Sequence, residues 1–291
     1  MNVKPIDAKA LLYLSDKRTM YLGKLAPLLE QSSAASTLIF SIDNVLQVID
    51  QDSGRVHESR SFLIPAGAKA TINTHDSHIG LCYLDALGTD LATLRPKMKQ
   101  AIPINGTSCF YGGVPNEDLV ITSARALYSS QAPVAMALEQ LDHWIGKPVD
   151  GSNILVDDRV TKAVEMIKAS VVENRSVEDI ARELNLSVPR LSQLFKLITG
   201  VPVRRFRLWY RIYITAAKMA WGMSLTEAAV SSGFSDSAHF SRTFKEIGGV
   251  KPSTMLNAKS HTLIRLLEPI DEIHRTMADD KTMMSEEPEE A

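Results

Sequence analysis

The sequence predicts an α+β protein in two parts, a strand-rich N-terminal half that folds as a small antiparallel barrel or sandwich with helices, and an all-α C-terminal domain. Three observations predict it. Short apolar runs separated by turn residues fill residues 37–85, helical spacing takes over from Val134, and a helix-turn-helix pattern occurs twice between Ser176 and Val250. A chain of 291 residues with 45 % hydrophobic residues is long enough to bury two modest cores.

The strands come first. Leu38, Phe40 and Ile42 recur with period two, and Asp52-Ser53-Gly54 supplies turn chemistry. Phe62-Leu63-Ile64 runs into the turn signal Pro65-Ala66-Gly67, and Ile79–Leu84 reads as a further strand. Val134, Leu138, Leu141 and Ile145 then stand four, three and four residues apart, one stripe of a helix that Pro133 starts and Gly146 ends. The stretch Gly146–Asn153 is a linker by composition and marks the boundary after a first domain over residues 1–150. Beyond it Val160, Val164, Ile167 and Val171 form another helical stripe, while residues 268–291 are acidic, lack aromatic residues and read as a disordered tail.

The formal charge of -2 hides a division. Residues 157–265 hold 17 Lys and Arg against 10 Asp and Glu, residues 1–156 hold 13 against 15, and residues 266–291 hold 2 against 9. A basic block between acidic ones points to a local polyanion-binding surface. Cys82 and Cys109 show no paired spacing, so no disulfide framework is expected and a cytoplasmic location is the simplest. The apolar run Ala10–Leu14 is too short for a signal-peptide core, and no later stretch reaches a membrane-spanning length, so no membrane partner is expected.

The two copies of the repeat are SVEDIARELNLSVPRLSQLFKLITGV, Ser176 to Val201, and SLTEAAVSSGFSDSAHFSRTFKEIGGV, Ser224 to Val250. Each opens with a Ser that can cap a helix and an acidic residue three positions on, Asp179 or Glu227. A break follows at Asn185 or Gly233, residue types that tolerate positive φ, and Ser187 or Ser235 is placed to cap the second helix. The second helices bury Leu191, Leu194, Phe195 and Ile198 in one copy and Phe240, Thr243, Phe244 and Ile247 in the other, and end at Gly200 and Gly249. Helix, turn, helix is the unit whose second helix enters a DNA major groove. Between the copies, VRRFRLWYRIYITAAKMAWG predicts a linker helix of about 18 residues with Leu208, Ile212 and Met219 inward, about 27 Å long. Such a spacer suits recognition helices set roughly 34 Å apart. Arg204, Arg205, Arg207 and Arg211 crowd its start, either as phosphate contacts or as an ordinary solvated face.

These residues resemble the DNA-binding domain of the AraC/XylS family of transcription regulators over residues 157–258, with helix-turn-helix motifs at about 177–198 and 225–248. GFSDSAHFSRTFKEIGGVKPS, Gly233 to Ser253, follows the family's second signature, and IARELNLS with LSQLFKLITGVPV follows the first. The resemblance implies a sequence-specific transcription regulator, an activator in kind, with double-stranded DNA and RNA polymerase as partners. It also implies a cupin-like effector-binding and dimerisation domain over residues 1–150, with a homodimer through the helix Val134–Ile145 and a small-molecule effector, or else an N-terminal domain that only dimerises. Carried over by position, the base-contacting candidates are Pro189, Ser192 and Gln193 in the first recognition helix and Ser237, Ala238, Ser241 and Arg242 in the second. Arg190, Lys196, Arg204, Arg205, His239 and Lys245 are the phosphate or secondary candidates. Departures stand at Gln193, where the family commonly has Arg, at Pro189, which offers a base only an apolar contact, and at Leu256, where an Arg is common.

A cupin-like barrel also raises the question of a metal enzyme. His57, His75 and His78 are the residues from which a metal site would be built, and a polar loop with a strand-end His is the alternative. No HExxH, GxSxG or phosphate-binding glycine loop occurs, so no catalytic residue, metal or cofactor is expected. Cys82 sits in an apolar strand pattern and reads as core.

Overall fold

The computed structural model describes residues 9–25, 27–50, 54–104, 108–149, 157–256 and 262–267. The chain opens with strands β1 (Ala10–Leu14), β2 (Thr19–Lys24), β3 (Leu28–Ser32), β4 (Thr37–Ser41), β5 (Leu46–Ile49), β6 (Val56–Ser59), β7 (Ser61–Ile64), β8 (Lys69–Asn73) and β9 (His78–Tyr83). Helix α1 (Thr89–Leu94), strands β10 (Gln100–Ile104) and β11 (Ser108–Gly112), and helices α2 (Glu117–Ser130) and α3 (Val134–Ile145) complete the N-terminal part. The C-terminal part is α4 (Asp158–Ala169), α5 (Val177–Glu183), α6 (Val188–Thr199), α7 (Val203–Ala220), α8 (Leu225–Ser231), α9 (Ser237–Gly248) and α10 (Pro252–Met255), followed by a strand β12 (Thr262–Leu266).

The strands form two sheets that do not close into the expected barrel. One has eight strands in the order β10-β11-β7-β4-β9-β2-β1-β12, the other four in the order β3-β8-β5-β6. The central strands of the large sheet are buried on both faces. Leu11, Tyr13, Leu38, Phe40 and Cys82 point toward α1–α3, while Leu12, Ile39, Phe62, Leu81 and Tyr83 join a core continuous with the C-terminal helices. This explains why β1 is buried at every position, and why β4 is too, where the period-two spacing of Leu38, Phe40 and Ile42 predicted one wet face. Gly80 is needed here: a Cβ on it would lie 2.1 Å from the Phe40 ring, which in turn packs edge-on against Trp144 of α3 at 5.3 Å.

Helix α3 has the predicted bounds, but its buried face is Ala137, Leu141, Trp144 and Ile145, with Val134 and Leu138 only half-buried. Leu141 and Ile145 are therefore already packed within their own subunit. Helix α4 buries Val160, Val164 and Ile167 as its spacing predicts. The strand β12 was not expected. It leaves the helical domain and pairs in parallel with β1 along its whole length, Ala10 opposite Thr262 through Leu14 opposite Leu266. The predicted acidic tail, and the linker residues from 150 onward, lie outside the described residues.

Candidate nucleic-acid interface

Each helix-turn-helix unit is built by local rules that its sequence carries. Ser176 caps α5 by accepting from the Asp179 N–H, and Ser187 caps α6 by accepting from the Arg190 N–H. Ser224 and Glu227 form a complete capping box on α8. In the second recognition helix the cap is Asp236, which accepts from the His239 N–H at 2.6 Å; the expected cap, Ser235, instead lies 3.2 Å from His239 Nδ1. That N–H bond, ahead of the Ser235 hydroxyl, holds the Asp236 carboxyl below its ordinary range. The turns are alike in both units. Asn185 and Gly233 have φ of 54° and 90°, and the N–H of the next residue reaches back five positions, Leu186 to Ala181 at 2.8 Å and Phe234 to Ala229 at 3.1 Å. At Gly233 a Cβ would also stand 2.8 Å from Arg211 Nε. Gly200 and Gly249 end α6 and α9 in the left-handed region.

Helix α7 runs 18 residues, about 27 Å, between the units and holds both through its cations. Arg207, 9 % exposed, donates to Asn174 Oδ1 at 2.9 Å and to the Arg175 carbonyl at 2.6 Å. Arg211 donates twice to the Val171 carbonyl, at 3.0 and 2.9 Å. Lys218, 2 % exposed, donates to the Ser231 carbonyl at 2.6 Å and its hydroxyl at 2.9 Å. These groups donate to carbonyls of the loop between α4 and α5 and to the last carbonyl of α8. Burial lowers the Lys218 pKa from 10.5 to about 8.

The arginines that crowd the start of α7 thus divide. Arg204 is exposed, whereas Arg207 and Arg211 are internal ties. Arg205 donates through Nε to the Ser32 carbonyl at 3.0 Å and through Nη2 to the same oxygen, with Glu246 Oε1 3.4 Å from Nη1. Its guanidinium joins the helical domain to the end of β3 and is not offered to solvent as the crowding suggested.

The remaining candidates occupy the outward faces of the recognition helices. Pro189, Arg190, Ser192, Gln193 and Lys196 are exposed along α6, and Arg190 Nη1 donates to Gln193 Oε1 at 3.0 Å. Ala238, Arg242 and Lys245 are exposed along α9, where Ser237, His239 and Ser241 are half-buried. Ser241 spends its hydroxyl proton on the Ser237 carbonyl at 2.8 Å, and His239 packs edge-on against Phe234. Arg242 has no hydrogen bond or ion pair among the described residues. Leu197 is 77 % exposed on the Arg190–Gln193 face, and its place outside the Leu191, Leu194, Phe195, Ile198 stripe is the sequence signal for it. The opposite, C-terminal ends of the helices turn inward: a Cβ on Gly67 would meet the Gly200 carbonyl at 2.8 Å, and α9 packs on β3.

The three histidines do not converge. His57 is on β6 opposite Val48, His75 is in the β8–β9 turn with φ of 50°, and His78 Nδ1 lies 2.8 Å from Asp43 Oδ2. Against the upward push of burial, the His78 backbone N–H and ring hold the Asp43 carboxyl below its ordinary value. Among the described residues no group of three His, Cys, Asp or Glu is placed to hold a metal ion, and no helix is long and apolar enough to cross a membrane. Cys82 is buried in the sheet, which pushes its thiol far above the ordinary range.

A family profile described as a helix-turn-helix domain matches residues 180–258. The uncharacterised HTH-type transcriptional regulator YidL of Escherichia coli is 30 % identical over 175 residues, 57 % of this chain and 59 % of that protein. The arabinose operon regulatory protein of Escherichia coli is 32 % identical over 102 residues, 34 % of each. The chain thus spans less than two thirds of the length of these relatives. Among solved structures, an apo ToxT variant from Vibrio cholerae superposes with a TM-score of 0.55 at 14 % identity, covering 83 % of this chain and 97 % of that one. At that identity the likeness is one of fold, and it extends over both parts of the chain. The repeat, its caps and turns, and the matched profile agree: residues 180–258 are a helix-turn-helix domain of the AraC type.

Proposed function

We propose that the chain is a sequence-specific, double-stranded-DNA-binding transcription regulator that lays α6 and α9 into successive major grooves. The observation that carries this reading is the pairing of two helix-turn-helix units across α7, each with the N-terminal half of its second helix turned outward. Arg190 and Lys196 are exposed on α6, Arg242 and Lys245 on α9 and Arg204 at the start of α7, so cations for phosphate attraction accompany the base-contact candidates. Arg242 is the principal base reader of the second unit, because it is exposed and unpaired and Arg is the commonest reader of guanine. Activation through RNA polymerase follows from the family likeness alone.

Dimerisation through α3 belongs to the same reading, with a changed face. Leu141 and Ile145 are used internally, so partners meet through the outward side, where Met136, Glu139 and His143 are exposed. Gating by a small molecule is a second reading that one observation favours. An apolar cavity of about 40 Å³ lies at the seam of the two parts, lined by Leu12, Leu14 and Tyr83 on one side and Trp209, Ile212 and Phe244 on the other. It is far smaller than an ordinary ligand site, so an effector has to spread the seam, which bears on both domains at once.

The test is selection of bound sequences from random DNA by the full chain over a salt series, with and without a small-molecule cell extract. A motif of two blocks about one helical turn apart, with affinity falling steeply as salt rises, is the expected result. Arg242→Ala should erase one position of one block and weaken that site roughly tenfold more than random DNA. Equal loss on both removes Arg242 as a base reader, and selection with no motif under either condition overturns the function.

A further inference from the structure

Which base α6 selects is written in the pair at its start. We propose that Arg190 and Gln193 act as one donor-rich unit that reads guanine, where Gln193 alone would read adenine. The proposal rests on DNA binding through α6. The two residues stand three apart, on one face of the helix, and both are exposed. Arg190 Nη1 donates to Gln193 Oε1 at 3.0 Å. A guanidinium has five N–H donors and no acceptor, so this bond orients the amide, with its oxygen toward Arg190 and its NH2 outward.

That orientation changes what Gln193 can recognise. Adenine presents the N7 acceptor and the N6 amino donor on its major-groove edge, and a free glutamine matches both. One lone pair of Oε1 is taken by Arg190 and the other is crowded by its guanidinium, so N6 approaches a cation and an amide NH2, which places donor on donor. The unit still offers Gln193 Nε2 together with Nε and Nη2 of Arg190, none of which has a partner among the described residues. Guanine, with N7 and O6 both acceptors, is the base that matches such an array. Cytosine presents an amino donor there, and thymine a single oxygen beside a methyl group.

The intrahelical bond need not be strong to act this way. Opening it to free Oε1 leaves the Arg190 charge and its donors beside the base, still mismatched to an amino group. Nor is that charge cancelled nearby. The Asp157 carboxylate feels Arg190, but it is paired with Arg159 at 2.7 Å, and it is chiefly Arg159 that holds its pKa down to about 2. Asp157 and Arg190 form no ion pair among the described residues.

The experiment is site selection with the full chain and with Arg190→Met, an exposed change that keeps helix propensity and frees Gln193 Oε1. The α9 block serves as an internal reference for folding and binding. In the wild-type motif one column of the α6 block should be guanine, preferred over adenine by roughly tenfold. In Arg190→Met the same column should change to adenine while the α9 block is unaltered. Adenine in the wild-type column, or guanine retained by the variant, overturns the pair. A motif containing the α9 block alone sinks base reading by α6 altogether, a result distinct from the wrong base.

Discussion

Arg204 and Arg205 are neighbours in sequence with the same charge, yet one faces solvent and the other is bound to the Ser32 carbonyl, 173 residues away. Nothing in local spacing distinguishes them, because the acceptor is a backbone oxygen on a remote strand. The same holds for Arg207 and Arg211, whose partners are carbonyls of Arg175 and Val171 in the loop between α4 and α5. By contrast, the exposure of Gln193 and Arg242 is legible, since helical periodicity alone decides which side of α6 or α9 is left outside the core, while their place among the base-contact candidates comes from the family resemblance. The division can be measured. Arg204→Ala should lower the slope of log affinity against log salt by about 1, with unchanged stability. Arg205→Ala should leave that slope alone and cost about 1–2 kcal/mol in denaturant unfolding, the scale of a charged donor lost from a partly buried carbonyl. The reverse pattern would place Arg205 on a phosphate.

At the scale of elements, the caps and turns of the two units could be read almost residue by residue, because capping is a contact between positions two or three apart. The exception, Asp236 in place of Ser235, is a choice between adjacent residues that both suit the role. The strands were less legible. A sheet covered on both faces erases the alternation by which a strand is recognised, and Leu38-Ile39-Phe40 sends neighbours into different cores. What the helices do to one another was hidden as well, and Lys218 shows it best, as a buried ammonium joining α7 to the last turn of α8. Its pKa is lowered to about 8 from 10.5, so below pH 8 the folded protein carries a charge that burial penalises and the unfolded chain does not. Between pH 8 and 10.5 the unfolded chain binds the extra proton, and stability contributed by this group rises with pH. Relative to Lys218→Met, the wild type should therefore gain on the order of 1–3 kcal/mol between pH 7.5 and pH 10. The variant also loses the Ser231 bonds, but that loss offsets both ends of the range and leaves the slope as the readout. A flat difference across the range would mean that Lys218 titrates normally.

For the whole molecule, the short run Thr262–Leu266 matters more than its length suggests. The helical domain leaves the sheet after α3 and returns to it through β12, so it is fastened to the N-terminal part at both ends. β12 pairs with β1, Leu267 N–H donates to the Leu14 carbonyl at 3.0 Å, Arg265 donates to the Gln131 carbonyl at the end of α2, and the strand also packs on α7. Five residues of mixed character gave no periodic signal, and pairing with a segment some 250 residues earlier is a long-range event that local pattern does not encode. With Lys168 Nζ 2.6 Å from Asp16 Oδ2 and the Trp209 ring tilted against Tyr83 at 4.4 Å, the seam behaves as one core and the chain should unfold in a single transition. Leu263→Pro in the full chain tests this: the Leu267 N–H bond to the Leu14 carbonyl sets the odd-numbered N–H groups of β12 toward β1, so proline at 263 removes a ladder donor and its ring does not fit the paired side of the strand. The expected result is a melt that separates into two transitions, with faster amide exchange in β1, whose other side stays paired with β2. Because the seam also fixes how the ends of α6 and α9 meet the sheet, the variant should tolerate a wider spacing between the two DNA blocks than the wild type does. One undivided transition with an unchanged spacing preference would show that β12 merely covers an edge, and that the Asp16, Tyr83 and Arg205 contacts alone hold the two recognition helices in register with the N-terminal domain.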